Sequence, residues 1–149
     1  METTKIYLIN LLAESNSSNA AFKINLVKTY LQVLVLDFIY SHPKYAQLVF
    51  YGGSCLAHLY GLPRLSEDID FVDLKKTVSL DDLASDLEKY FAEETDLSVQ
   101  TKVQKFRVYL KFPLLKDLGL WRQGESEKFF LKVEVFSGFT FCREFKIET

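Results

Sequence analysis

The spacing of apolar residues along the chain predicts several amphipathic helices. The clearest helix covers residues 20–40, where apolar side chains recur at intervals of three and four and so share one helical face. It is expected to end near His42-Pro43, because the residue before a proline disfavours helical conformation. Ser79, followed by acidic residues, has the composition of a helix start. The pattern predicts helices over residues 4–14, 20–40, 54–60 and 79–93.

Shorter apolar segments predict strands between and after these helices. In residues 129–136 the side chains alternate, so that Glu134 and Lys132 share a face with two phenylalanines while the other face is wholly apolar. The order of elements predicts an α/β (α+β) fold, with helices packed mainly on one side of a sheet. The predicted strands cover residues 47–51, 69–72, 97–103, 106–112, 129–136 and 139–145.

The segment from Gly52 to Phe71 carries the candidate chemistry. Two glycines follow a buried strand and precede a short helix, and the N-terminus of a helix is a favourable phosphate site. Asp68 and Asp70 lie two residues apart on the next strand, so they share one face with Cα atoms roughly 6.5–7 Å apart. Mg²⁺ prefers one or two carboxylates together with waters and substrate phosphates. This segment therefore predicts a divalent cation held beside a nucleoside triphosphate.

These residues resemble a known signature. Gly53-Ser54, thirteen intervening residues and then Asp68-x-Asp70 are similar to the motif of the DNA polymerase β-type nucleotidyltransferases. The surrounding Gly52, Arg64, Ser66 and Phe71 make the segment resemble more specifically the AbiEii/AbiGii toxin branch of bacterial toxin–antitoxin and abortive-infection pairs. The resemblance implies the polymerase β-like fold with a mixed sheet, and a catalytic site that uses Mg²⁺ or Mn²⁺.

The resemblance also implies a third carboxylate on a neighbouring strand, and Glu134 is the best candidate. Asp68, Asp70 and Glu134 are then the predicted catalytic and metal-binding residues. Considered alone, a charged strand residue such as Glu134 is more often a solvent-facing partner of a cross-strand lysine. Glu125 and Glu127 remain alternatives for the third carboxylate.

A second group of residues is predicted to bind the nucleotide. Arg64 pairs either with a phosphate or with Glu67, and Ser66 contacts either backbone or phosphate. Lys132 contacts either the triphosphate or the neighbouring carboxylates, and Arg107 is expected on a solvated face. The predicted nucleotide-binding residues are Gly52, Gly53, Ser54, Arg64, Ser66 and Lys132.

Composition limits the remaining choices. The chain has 149 residues and a net charge of −2, which fits a single nucleotidyltransferase domain, residues 1–149, without a general basic surface for nucleic acid. Two cysteines, no signal-peptide pattern and no long apolar run predict a cytoplasmic protein without a membrane span. Relatives in the resembled branch continue into a C-terminal helical region, which this sequence is expected to lack.

The function that these features predict is transfer of a nucleoside monophosphate from an NTP to a hydroxyl. The resemblance implies RNA, with the 3′ end of tRNA foremost, or a protein as acceptor, and a cognate antitoxin as partner. The alternative prediction is a catalytically weak module that binds a nucleotide or an antitoxin through the same cleft.

Overall fold

The computed structural model describes residues 3–61 and 67–137. The helices are α1 (Thr4–Glu14), α2 (Ala20–Ser41), α3 (Gly52–Tyr60) and α4 (Leu80–Glu94). The strands are β1 (Val49–Tyr51), β2 (Asp68–Val72), β3 (Gln100–Gln104), β4 (Arg107–Phe112) and β5 (Phe129–Phe136). Each predicted element in this part of the chain is therefore present, and the predicted strand over residues 139–145 lies outside it.

The five strands form one mixed sheet in the order β1-β2-β5-β4-β3. β2 and β5 are parallel, and the other three pairs of neighbouring strands are antiparallel. The predicted α/β fold with a mixed sheet is thus confirmed. The parallel pair lies inside the sheet, so both of its strands are paired on both edges.

The hydrophobic core lies between one face of the sheet and the helices. Phe91 of α4 packs against Phe112 of β4, with ring centroids 5.0 Å apart, and Tyr40 of α2 packs against Phe71 of β2. The predicted alternation in β2 and β5 is correct, because Ile69 and Val133 are fully buried while Asp68 and Glu134 are only partly so. The sheet therefore presents a polar row on the face opposite the core.

Three boundaries differ from the predicted ones by two or more residues. α3 begins at Gly52 rather than residue 54, because the backbone enters the helix directly from the glycine turn. β1 begins at Val49 rather than residue 47. β3 begins at Gln100 rather than residue 97, because the amide of Leu97 donates to the Thr95 hydroxyl in the preceding loop.

No helix among the described residues has both the length and the apolar character that a membrane crossing needs.

Candidate active site

Strand register brings the predicted acidic residues together on the polar face of the sheet. In the parallel β2–β5 pair, Asp70 lies beside Glu134 and Asp68 lies beside Lys132. The Glu134 side chain is 12% exposed and that of Asp68 is 30% exposed. Of the three glutamates considered for the third carboxylate, the structure places Glu134 next to Asp70.

The other two glutamates lie in the loop before β5 and have separate contacts. Glu127 forms an ion pair with Lys116 at 2.5 Å, and the main-chain carbonyl of Glu125 accepts a hydrogen bond from the Trp121 indole. Both glutamates are exposed in this loop. Neither therefore belongs to the acidic row, which Asp68, Asp70 and Glu134 form on the polar face of the sheet.

The glycine turn touches the acidic row. Gly52 has a φ of +81°, a conformation that residues with a side chain rarely adopt. A Cβ atom at Gly52 would lie 2.5 Å from Oδ2 of Asp70. Glycine at this position therefore lets the start of α3 approach the carboxylate directly.

The N-terminus of α3 is positioned by a buried hydroxyl. Ser54 is fully buried, and its hydroxyl donates a short hydrogen bond to the main-chain carbonyl of Asp68. Tyr51, the residue that precedes the helix, makes no side-chain capping bond to it. The Tyr51 side chain therefore does not cap the amides of the first helical turn, including that of Gly53, and these amides can bind an anion beside Asp68 and Asp70.

Two basic side chains pair with two of the acids. Lys132 Nζ lies 3.3 Å from Asp68 Oδ2, and Arg107 Nε donates to Glu134 Oε1 at 2.8 Å. Of the two contacts predicted for Lys132, the structure contains the one with a carboxylate.

Arg107 is a site residue that the sequence prediction missed. It was expected on a solvated face, and its side chain is 35% exposed, but it also lies directly opposite Glu134 in the β4–β5 pair. The alternation of β4 places Arg107 on the same face as Tyr109 and Lys111. That alternation is the local signal that could have indicated the polar row, but strand pairing is needed to identify the partner.

The electrostatics of the row centre on Asp70. Burial raises the pKa of Asp70 to about 6, with further contributions from the neighbouring carboxylates of Glu134 and Asp68. Burial also raises the pKa of Tyr51 to about 12, again with help from Asp70 and Glu134. The site thus contains an excess of negative charge that its two basic partners only partly offset.

The chemistry of these residues fits a hard divalent cation. Asp68 and Asp70 supply the carboxylate oxygens that Mg²⁺ prefers, and a cation beside Asp70 would relieve the repulsion that raises its pKa. As the side chains stand, however, no three His, Cys, Asp or Glu residues within 3–61 and 67–137 are grouped closely enough to hold a metal ion. Two of the acids, Asp68 and Glu134, are members of ion pairs with Lys132 and Arg107.

Two predicted nucleotide-binding residues, Arg64 and Ser66, lie outside the described residues. A separate apolar cavity of about 580 Å³ lies between α2, β1 and α3, lined by residues such as Tyr40, Phe50 and Leu59. None of the predicted site residues that the structure describes lines it, so it is distinct from the acidic row.

Comparison with known proteins agrees with this geometry. No curated protein matches the sequence. The family described as "Nucleotidyl transferase AbiEii toxin, Type IV TA system" matches residues 36–138, which cover all five strands and the whole of the acidic row. The chain therefore belongs to the AbiEii family of nucleotidyl transferase toxins of type IV toxin–antitoxin systems.

Proposed function

We propose that the protein transfers a nucleoside monophosphate from an NTP to a hydroxyl group, with Mg²⁺ or Mn²⁺ as cofactor. The acceptor is an RNA, foremost the 3′ end of tRNA, or a protein. Membership of the toxin family supports this proposal, and a cognate antitoxin is the partner that it implies.

The proposal rests on one observation: Asp70 lies next to both Glu134 and the glycine turn at Gly52. Strand pairing places the two carboxylates side by side, and the absence of a side chain at Gly52 keeps the start of α3 against Asp70. A helix start favours phosphate and a carboxylate pair favours a divalent cation. A metal-bound triphosphate satisfies both preferences at once.

Each group has a role in the proposed transfer. Main-chain amides at Gly53 and Ser54 bind the phosphates, and Lys132 balances their charge. Asp68 and Asp70 would hold the divalent cation, which supplies neutralisation of the charge on the triphosphate. A bond forms between the acceptor oxygen and the α-phosphorus, the bond from the α-phosphorus to the bridging oxygen breaks, and pyrophosphate leaves. Glu134 accepts the hydroxyl proton.

The decisive experiment measures transfer of label from each of the four α-³²P-labelled NTPs to tRNA and to protein, with Mg²⁺ or Mn²⁺. We expect one NTP to label an acceptor and release pyrophosphate, and we expect Asp70→Asn to abolish both. Asp81→Asn is the matched control, because Asp81 is an exposed acid on α4. Its labelling should equal that of the unchanged protein.

The alternative function, a weak binding module, predicts a different result. A nucleotide and metal would raise the melting temperature together, and Asp70→Asn would remove this effect, yet no NTP would label any acceptor. Labelling by Asp70→Asn as strong as that by the unchanged protein would contradict both functions.

A further inference from the structure

Arg107 forms an ion pair with Glu134, the carboxylate that lies beside Asp70. Its Nε atom lies 2.8 Å from Glu134 Oε1, and the Glu134 side chain is only 12% exposed. A guanidinium and a metal ion are both positively charged, so they repel each other when they share one carboxylate. The charge of Glu134 is therefore already balanced by a side chain of the protein itself.

The Arg107 side chain stacks on the ring of Phe106, which in turn packs against β5. Its guanidinium lies 4.6 Å from the centroid of the Phe106 ring, and Phe106 packs on Phe136 with centroids 4.6 Å apart. The Phe106 carbonyl accepts a hydrogen bond from the Val135 amide, which ties the β3–β4 turn to β5. The Arg107 guanidinium, stacked on Phe106, thus lies beside the acidic row and can change partners there without a large movement of the backbone.

We propose that Arg107 is an exchangeable counter-ion of the site. In the free protein it holds Glu134, and when a divalent cation arrives with a triphosphate it leaves Glu134 and binds phosphate oxygens. A guanidinium suits this exchange because its planar set of N–H donors matches carboxylates and phosphates equally well. The inference deepens the proposed function, since the triphosphate that Arg107 binds is the substrate of that reaction.

The exchange predicts opposite effects of one substitution on two ligands. In Arg107→Met, Glu134 loses its competing cation, so Mn²⁺ alone should bind roughly tenfold more tightly. Tripolyphosphate with Mn²⁺ should bind roughly tenfold more weakly, because a charge-assisted contact to phosphate is lost. A residue that only positions Glu134 or only supports the fold would weaken both ligands together.

The experiment measures binding of Mn²⁺ alone by calorimetry and electron paramagnetic resonance, and of tripolyphosphate with Mn²⁺ by calorimetry. Lys111→Met is the matched control, because Lys111 is on the same face of β4 but lies opposite Phe130 instead of a carboxylate. It should bind both ligands as the unchanged protein does. Arg107→Lys keeps the charge, so its affinity for Mn²⁺ alone should stay low. Circular dichroism melting identifies any variant that is unfolded at the binding temperature, and Arg107→Lys then carries the test.

Two results would overturn the exchange. One is that Mn²⁺ alone binds Arg107→Met with unchanged or lower affinity, and the other is that Arg107→Lys gains affinity for it. The measurement with Mn²⁺ alone involves no nucleotide and no transfer. It therefore separates failure of this inference from failure of the proposed function, which would appear as an absence of labelling by every NTP.

Discussion

Replacing Gly52 with alanine tests how closely the helix start and the acidic row are joined. The added Cβ would lie 2.5 Å from Asp70 Oδ2 and 3.3 Å from both Cβ and Cγ of Asp70. Asp70 cannot move aside freely, since Glu134 lies beside it on β5 and Tyr51 opposite it on β1. The substitution should therefore displace the carboxylate as well as strain the backbone.

The two costs can be separated by a matched variant. Gly124 has a φ of +88°, close to the +81° of Gly52, but a Cβ there would have no atom within 4 Å. Gly124→Ala should thus lower the free energy of unfolding only by the backbone strain, about 1–2 kcal/mol. Gly52→Ala should add the cost of overpacking, about 1–3 kcal/mol more, which corresponds to a further fall in melting temperature of roughly 3–10 °C.

Urea unfolding and thermal melting measure these costs, and a melting series with Mn²⁺ and tripolyphosphate measures the site. We expect ligand-dependent stabilisation to survive in Gly124→Ala and to disappear in Gly52→Ala. If the two variants lose equal free energy of unfolding and keep equal ligand-dependent stabilisation, the close approach of Gly52 to Asp70 has no consequence. The reasoning would then be refuted.

Three further substitutions test the electrostatics and the core. The pKa of Asp70 is raised above its ordinary value of 3.8 to about 6, so its ionisation disfavours folding. Metal-free Asp70→Asn should therefore be more stable at pH 7 by roughly 1 kcal/mol after allowance for solvent screening, and urea titrations should show this advantage vanish below pH 4. The hydroxyl of Tyr45 donates to Asp86 at 2.5 Å and is the largest cause of the lowered pKa of Asp86. Tyr45→Phe should lower the free energy of unfolding by about 1–2 kcal/mol at pH 7. This loss should shrink as the pH falls below 3.8 and through the lowered pKa, because Asp86 then becomes protonated in the unchanged protein. A loss that is independent of pH would contradict this account. Ile69, the residue between the two aspartates in the chain, is fully buried, while Val33 is 46% exposed. Ile69→Ala should therefore lower the free energy of unfolding by about 2–5 kcal/mol, and Val33→Ala by less than about 1 kcal/mol. Equal losses in these two variants would argue against the buried position of Ile69.

The sequence pattern correctly predicted which face of each strand carries the acidic residues, because this depends only on local geometry. Alternation with a period of two correctly placed Asp68 and Asp70 on one face of β2 and Glu134 on the polar face of β5, because each strand buries its other face. The start of α3 was predicted two residues late because glycine has low helix propensity. Here the positive φ of Gly52 forms the turn, and the helix follows at once.

Residues that act through pairing between strands were harder to predict. Arg107 and Glu134 are 27 positions apart in the chain, and no local spacing indicates that the β4–β5 register places them opposite each other. The default expectation for an arginine is exposure, and the Arg107 side chain is 35% exposed. What the expectation missed is that the Glu134 carboxylate and the Phe106 ring both contact the guanidinium. Local patterns therefore identify the acids and Lys132, but not Arg107, which pairs with Glu134 only through the strand register.

The parallel pairing of β2 with β5 has a consequence for how the protein is made. Asp70 and Glu134 lie more than sixty positions apart, with α4 and the β3–β4 hairpin between them. Contacts of such long separation form slowly, because a large loop must close before they stabilise the chain. During synthesis the N-terminal helices and β2 leave the ribosome several seconds before β5, at roughly 5–20 residues per second. Any nascent or truncated chain that ends before β5 therefore lacks the acidic row, so the protein cannot acquire this site until β5 has been synthesised.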